Sequence, residues 1–191
     1  MGKVIAINGS PRESGNTANM LKTVLAVCAE AGHNAEMYHV GGRSVRGCMA
    51  CGGCGRHSGK CAIDDWINEL YPKMAESDAI LLGSPTYFAD LTPELKAVID
   101  RAGSVSRRDN MRFSRKIGAG VSAVRRAGGI HALDSINHFF LINDMIVPGS
   151  SYWNMSLSRE AGDYERDDEG IRTMTRLGEN VAWLLNLVSG A

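Results

Sequence analysis

Lys3-Val4-Ile5-Ala6-Ile7-Asn8-Gly9-Ser10-Pro11-Arg12-Glu13-Ser14-Gly15-Asn16-Thr17 decides the fold of this chain. Residues 4–8 form a short apolar run of the kind found in a buried parallel strand. Gly9, Ser10 and Pro11 break it, and residues 15–31 carry Leu21, Val24, Leu25 and Cys28 at helical spacing. A strand that turns into a helix through such a loop aims free backbone N–H groups and the positive end of the helix dipole at one spot, which suits a phosphate.

The alternation continues outward. Residues 35–40, 79–83, 116–124 and 145–150 read as further strands, and 64–76, 92–102, 129–140 and 167–188 as helices. Thr92 before Pro93 has the form of an N-cap followed by proline in the first turn, and Asp64 is placed to cap the preceding helix. Five strands alternating with helices predict an α/β three-layer sandwich with a parallel sheet of order 2-1-3-4-5, whose ligand crevice lies beyond the carboxyl ends of strands one and three. A length of 191 residues fits one domain spanning 1–191. The stretches 41–63, 103–115 and 151–167 read as long irregular connections of the kind that close sites or meet partners.

Lys plus Arg and Asp plus Glu stand at 21 each, so no overall field points to nucleic acid or an anionic membrane. No apolar stretch is long enough for a signal peptide or a membrane span, and a cytoplasmic protein is expected.

The first loop offers the hydroxyls of Ser10, Ser14 and Thr17, the Asn16 amide and the Arg12 guanidinium. It matches neither G-x-x-x-x-G-K-[ST] nor G-x-G-x-x-G, which disfavours ATP and the usual dinucleotide mode of NAD. Mainly neutral donors suit a phosphate monoester such as that of FMN; the alternative is a capped helix with no ligand. The third strand runs into Gly83-Ser84-Pro85-Thr86-Tyr87-Phe88-Ala89-Asp90-Leu91-Thr92-Pro93, with backbone donors and two aromatics for a flat ring. Tyr87 and Phe88 also fit as ordinary core aromatics. After strand four, Ser122 and the turn at Gly128 and Gly129 permit close approach of backbone to a ring.

Together G-S-P-R-x-x-G-N-T, G-S-P-T-Y-F-x-x-x-T-P-x-L-K and the Gly-Gly turn resemble the NADPH-dependent FMN reductase and multimeric flavodoxin-like superfamily. The resemblance implies a flavodoxin-like fold. It assigns Ser10, Arg12, Asn16 and Thr17 to the FMN phosphate, beside which the loop itself offers Ser14, and Pro85, Thr86, Tyr87, Phe88, Ser122, Gly128 and Gly129 to the isoalloxazine. It further implies electron transfer from NAD(P)H or a reduced carrier such as ferredoxin to flavins, quinones or other acceptors, and assembly as a homodimer or homotetramer.

Four of the five cysteines crowd into the 41–63 loop as C-x2-C-x2-C-x6-C: Cys48, Cys51, Cys54 and Cys61. In a reducing compartment such crowding suggests metal or cluster ligation rather than disulfides. The run C-x2-C-x2-C supplies three thiolates of a [4Fe-4S] site with little chain, and the fourth cysteine closes the set. The arrangement resembles the iron-sulfur flavoprotein branch of the same superfamily. A tetrahedral zinc site and a loop without metal are the alternatives. His57 reads as solvated, and Cys28, on an apolar helix face, as a buried small hydrophobe.

The leading expectation is therefore an FMN-dependent oxidoreductase with a [4Fe-4S] cluster and no catalytic acid or base of its own. The alternatives are a cluster-free NAD(P)H-dependent FMN or quinone reductase, a non-catalytic flavodoxin-like carrier, and a zinc-stabilised binding module. The basic segment 107–116 reads as a solvated loop, with contact to a nucleotide 2′-phosphate or an acidic ferredoxin as the functional alternative.

Overall fold

A computed structural model describes residues 1–57 and 59–189. Five parallel strands, β1 (Lys3–Asn8), β2 (Asn34–His39), β3 (Ala79–Pro85), β4 (Ile117–Val124) and β5 (Met155–Leu157), lie in the order β2-β1-β3-β4-β5. The helices are α1 (Asn16–Glu30), α2 (Ile67–Glu76), α3 (Pro93–Arg108), α4 (Gly129–Ile142) and α5 (Asp168–Ser189).

Side chains of a strand alternate between faces, and β1 divides accordingly. Val4 and Ala6 enter a core with Leu21 and Val24 of α1 and Leu177, Val181 and Leu185 of α5. Ile5 and Ile7 face the other way, toward Leu70 and Met74 of α2, Leu95 and Val98 of α3 and Phe140 of α4. Helices on both faces bury every residue of β4, which is why it reads as a continuous run of small and apolar residues. At Gly118 a Cβ would lie 2.5 Å from Phe140, and at Gly120 2.8 Å from Ile136, so these glycines let α4 sit directly on the strand.

The structure corrects several sequence-based expectations. Residues 145–150 are not the fifth strand: Ile146 makes one bridge to Ile117, and Pro148, lacking an N–H, helps end the pairing there. Met155–Leu157 pairs with β4 instead. Helix α3 runs to Arg108 rather than stopping near 102, because Val105 and Ser106 stay buried and extend its inner stripe. Helix α2 starts at Ile67, and it is Asp65, not Asp64, whose carboxylate accepts the Ile67 N–H, at 3.1 Å. The basic segment is only partly solvated: Arg107 donates to the carbonyl of Ile142, and the half-buried Lys116 donates to that of Ser77. Burial lowers the Lys116 pKa.

Among the described residues no helix is long and apolar enough to cross a membrane.

Candidate functional site

Because the strands are parallel, the loops after β1, β3 and β4 emerge along one edge, around the switch point between the neighbouring strands β1 and β3. The first loop is fixed by backbone and side-chain bonds. Gly9 donates to the Gly83 carbonyl at 2.8 Å, and the Thr92 hydroxyl donates to the Gly9 carbonyl at 2.7 Å. The Asn8 amide donates to the carbonyls of Arg12 and Glu13, while its oxygen accepts the Ser10 N–H. The Ser10 hydroxyl accepts the Arg12 N–H at 3.1 Å. Gly41 closes against the same turn, where a Cβ would stand 2.0 Å from the Ser10 carbonyl.

This loop delivers the chain to α1, whose N-cap Gly15 provides no side-chain cap. The first-turn N–H groups are therefore presented to the loop's concave side, as an anion site requires. Ser10 and Thr17 are buried beside it, and Arg12 and Ser14 are exposed. Asn16 has another engagement: its amide donates to the Glu160 carbonyl at 2.8 Å and its oxygen accepts the N–H groups of Gly162 and Tyr164. It ties the 160–164 turn to the start of α1.

The second and third loops are joined. The Thr86 N–H donates to Ala123, and the Thr86 and Ser122 hydroxyls lie 3.0 Å apart. Tyr87 and Asp90 exchange backbone bonds of 2.7 and 3.0 Å around Phe88 and Ala89, whose φ values of 48° and 64° are left-handed. Such a turn normally takes Asn-Gly, so the Phe-Ala pair stores strain of the sort found at ligand clamps. It leaves Tyr87 about half exposed and Phe88 fully exposed, so neither is a core aromatic. Gly128, at φ +89°, lies where a Cβ would meet the Ala89 backbone at 2.7 Å. Burial pushes the Asp90 carboxyl up, but the Ser135 hydroxyl, the Leu91 N–H and nearby His131 bring it below its ordinary range.

The cysteine loop folds over the far half of α3. Cys48, Cys51, Cys54 and Cys61 line one cavity of about 170 Å³, closed by Ile63, Arg101 and Val105. Ala50 (φ 51°) and Gly52 (φ 69°) adopt left-handed backbone on either side of Cys51, and the Ala50 N–H points to the Cys48 sulfur at 3.4 Å. The sulfurs are spread around the cavity: among the described residues no three His, Cys, Asp or Glu side chains converge on one metal ion. His57 is exposed and lies outside this lining; Cys28 is fully buried, and burial pushes its thiol up to about 11.

Arg101 was not legible as a site residue, yet it is fully buried and reaches the Cys61 sulfur at 3.3 Å. Burial works against its charge, and the Asp65 carboxylate and Cys61 sulfur outweigh that effect. Asp65 is drawn below its ordinary range: burial raises it, but Arg101 and the Ile67 N–H more than compensate. The available signal was a cation at a position of α3 otherwise spaced for the core.

The description "NADPH-dependent FMN reductase" belongs to the family model that matches residues 2–160. An iron-sulfur flavoprotein of Methanocaldococcus jannaschii is 35% identical over 97% of this chain and 98% of its own length. Another, from Methanosarcina thermophila, is 30% identical over 97% and 96%. The solved structure of RosB, bound to 8-demethyl-8-formylriboflavin-5′-phosphate, shares the fold with a TM-score of 0.77 at 14% identity, covering 100% of this chain and 81% of that one. A flavodoxin-like sheet with this strand-to-helix loop and four cysteines around one cavity thus coincides with these likenesses, and the chain belongs to the NADPH-dependent FMN reductase family, in its iron-sulfur flavoprotein branch, as a flavin-dependent oxidoreductase.

Proposed function

We propose that this chain passes electrons between a reduced donor, NAD(P)H or a ferredoxin-type protein, and a flavin or quinone acceptor, using FMN and a [4Fe-4S] cluster. The observation that carries the reading is the gathering of Cys48, Cys51, Cys54 and Cys61 around one largely apolar cavity, on a domain whose phosphate-ready loop lies at the sheet's switch point. Four soft donors spread around a cavity suit a cube with one thiolate at each iron better than a single tetrahedral ion.

The residues fit FMN as well. Ser10, Ser14, Thr17, Arg12 and the first-turn N–H groups of α1 would hold the phosphate, with Asn16 fixing the 160–164 turn behind them. Pro85, Thr86, Tyr87, Phe88, Ser122, Gly128 and Gly129 would hold the ring, with Thr86 and Ser122 linking two of the three loops. When bound, the two groups supply exchange between one-electron and two-electron carriers; the protein binds, orients and shields them. The cage meets α3 at Arg101, Ser104 and Arg108. Arg101 lies about 12 Å along the helix from Pro93, whose end faces the flavin loops. Cys48 and Cys51 are exposed at the cage rim, within reach of a donor protein or a second copy in a homodimer or homotetramer.

A steady-state assay without oxygen, using NADPH, NADH or reduced ferredoxin with a quinone or free FMN as acceptor, tests the activity. Turnover that falls at least tenfold in Cys51→Ser supports the proposal. Turnover unaffected by that substitution indicates a cluster-free reductase, and the absence of turnover with every donor indicates a carrier.

A further inference from the structure

Leu95, Val98, Ala102 and Val105 form the buried stripe of α3, and Arg101 occupies a place within it. A guanidinium buried without partners is strongly unfavourable, so its partners must justify its position. Nη1 donates to Asp65 at 2.5 Å and to the Arg46 carbonyl at 3.1 Å; Nη2 donates to the Ile63 carbonyl at 2.9 Å. These three oxygens belong to the segments that enter and leave the cysteine cage, so Arg101 pins both ends of the loop to α3. The fourth bond, from Nε to the Cys61 sulfur at 3.3 Å, contributes nothing that stapling requires.

A donor aimed at a thiolate, carried by a buried positive charge, stabilises the more negative of two oxidation states. Hydrogen bonds to sulfur and net local charge are the means by which proteins set cluster potentials. Asp65, ion-paired to the same guanidinium with its side chain only 13% exposed, offsets part of that charge. We propose that Arg101 sets the reduction potential of the group held by the cysteine cage, raising it through Cys61, and that Asp65 limits the rise. The inference rests on the cluster reading above. It makes Arg101 a positioning residue that acts through Cys61.

The test is a reductive titration of the purified holoprotein, followed by visible absorption and low-temperature electron paramagnetic resonance, with iron counted per chain. Wild type is compared with Arg101→Gln, Arg101→Lys and Asp65→Asn. Arg101→Gln is expected to shift the one-electron equilibrium at least tenfold toward the oxidised form, about 59 mV more negative. Arg101→Lys, which keeps the charge without the planar fork, is expected to recover part of that shift. Asp65→Asn should move the potential the opposite way, to more positive values.

Equal potentials in wild type and all three variants, with iron retained, would overturn the role of Arg101 and leave the cluster reading standing. If Arg101→Gln does not retain iron, Asp65→Asn decides: a rise supports the proposal and an unchanged potential overturns it. A wild-type protein that takes up no iron overturns the cluster reading and the role of Arg101 with it.

Discussion

The Thr92 hydroxyl donates to the Gly9 carbonyl at 2.7 Å and, on its other side, accepts the Leu95 N–H at 3.4 Å. One buried side chain thereby caps α3 and fixes the first turn of the phosphate loop. Replacing it with valine removes an N-cap and strands a buried carbonyl, effects worth about 1 kcal/mol and about 1–3 kcal/mol. Thr92→Val is expected to lower the urea-unfolding free energy of the FMN-free protein by roughly 2–3 kcal/mol and to weaken FMN binding in a fluorescence titration. Unchanged stability would show that the contact is incidental.

Gly41 and Gly42 separate crowding from backbone strain. A Cβ at Gly41 would stand 2.0 Å from the Ser10 carbonyl and 2.6 Å from the Pro11 backbone, whereas at Gly42 it meets nothing within 4 Å but must adopt φ +73°. Gly41→Ala is expected to raise the FMN dissociation constant by an order of magnitude or more, a loss of at least about 1.4 kcal/mol. Gly42→Ala should cost about 1 kcal/mol of stability and leave FMN affinity nearly unchanged. Equal effects on binding would rule out the proposed contact between Gly41 and the phosphate loop.

Asn16 makes three hydrogen bonds to the 160–164 turn, whereas Ser14 is exposed at the loop's rim. In calorimetry of the FMN-free protein, Asn16→Ala should therefore lower the melting temperature by several degrees, in keeping with a loss of about 2 kcal/mol. Ser14→Ala should leave it within a degree. A reversed order would mean that the Asn16 contacts do not stabilise the turn.

The pH dependence of stability has a defined sign at Cys28. Its sulfur is buried between α1 and α5, 3.8 Å from the Gly178 carbonyl, and burial raises its pKa from 9.0 to about 11. As pH rises past 9 the unfolded chain releases this proton while the native chain keeps it, so stability falls until pH nears 11. The loss attributable to this group is about 2–3 kcal/mol. Chemical unfolding between pH 8 and 10.5 should show a shallower decline in Cys28→Ala than in wild type, after allowing for a constant packing loss. Parallel curves would contradict the assignment.

Sequence pattern made much of this architecture visible, for reasons that particular residues explain. Strand β1 and its loop are legible because burial on both faces demands an apolar run and the turn demands Gly-Ser-Pro. Strand β5 is only Met155–Leu157, too short for a periodic signal, while the apolar residues 145–147 attract attention but make one bridge. The last turns of α3 look like a loop because Gly103, Ser104, Ser106 and Arg107 are poor core residues in isolation. The structure uses Gly103 for close passage beside Phe139, where a Cβ would lie 3.2 Å from the ring. The cysteines announce themselves by spacing, whereas Arg101 is recognisable only as a misplaced cation, since its partners Arg46, Ile63 and Asp65 come from remote sequence.

Whether this chain carries FMN and an iron-sulfur cluster together is decided by the visible absorption spectrum of protein purified without oxygen, with iron, zinc and FMN counted per chain. The expected result is a flavin band with a broad cluster shoulder, close to one FMN, about four irons and no stoichiometric zinc, with loss of the shoulder and iron in Cys54→Ser. One FMN without iron, or stoichiometric zinc in place of iron, would contradict it.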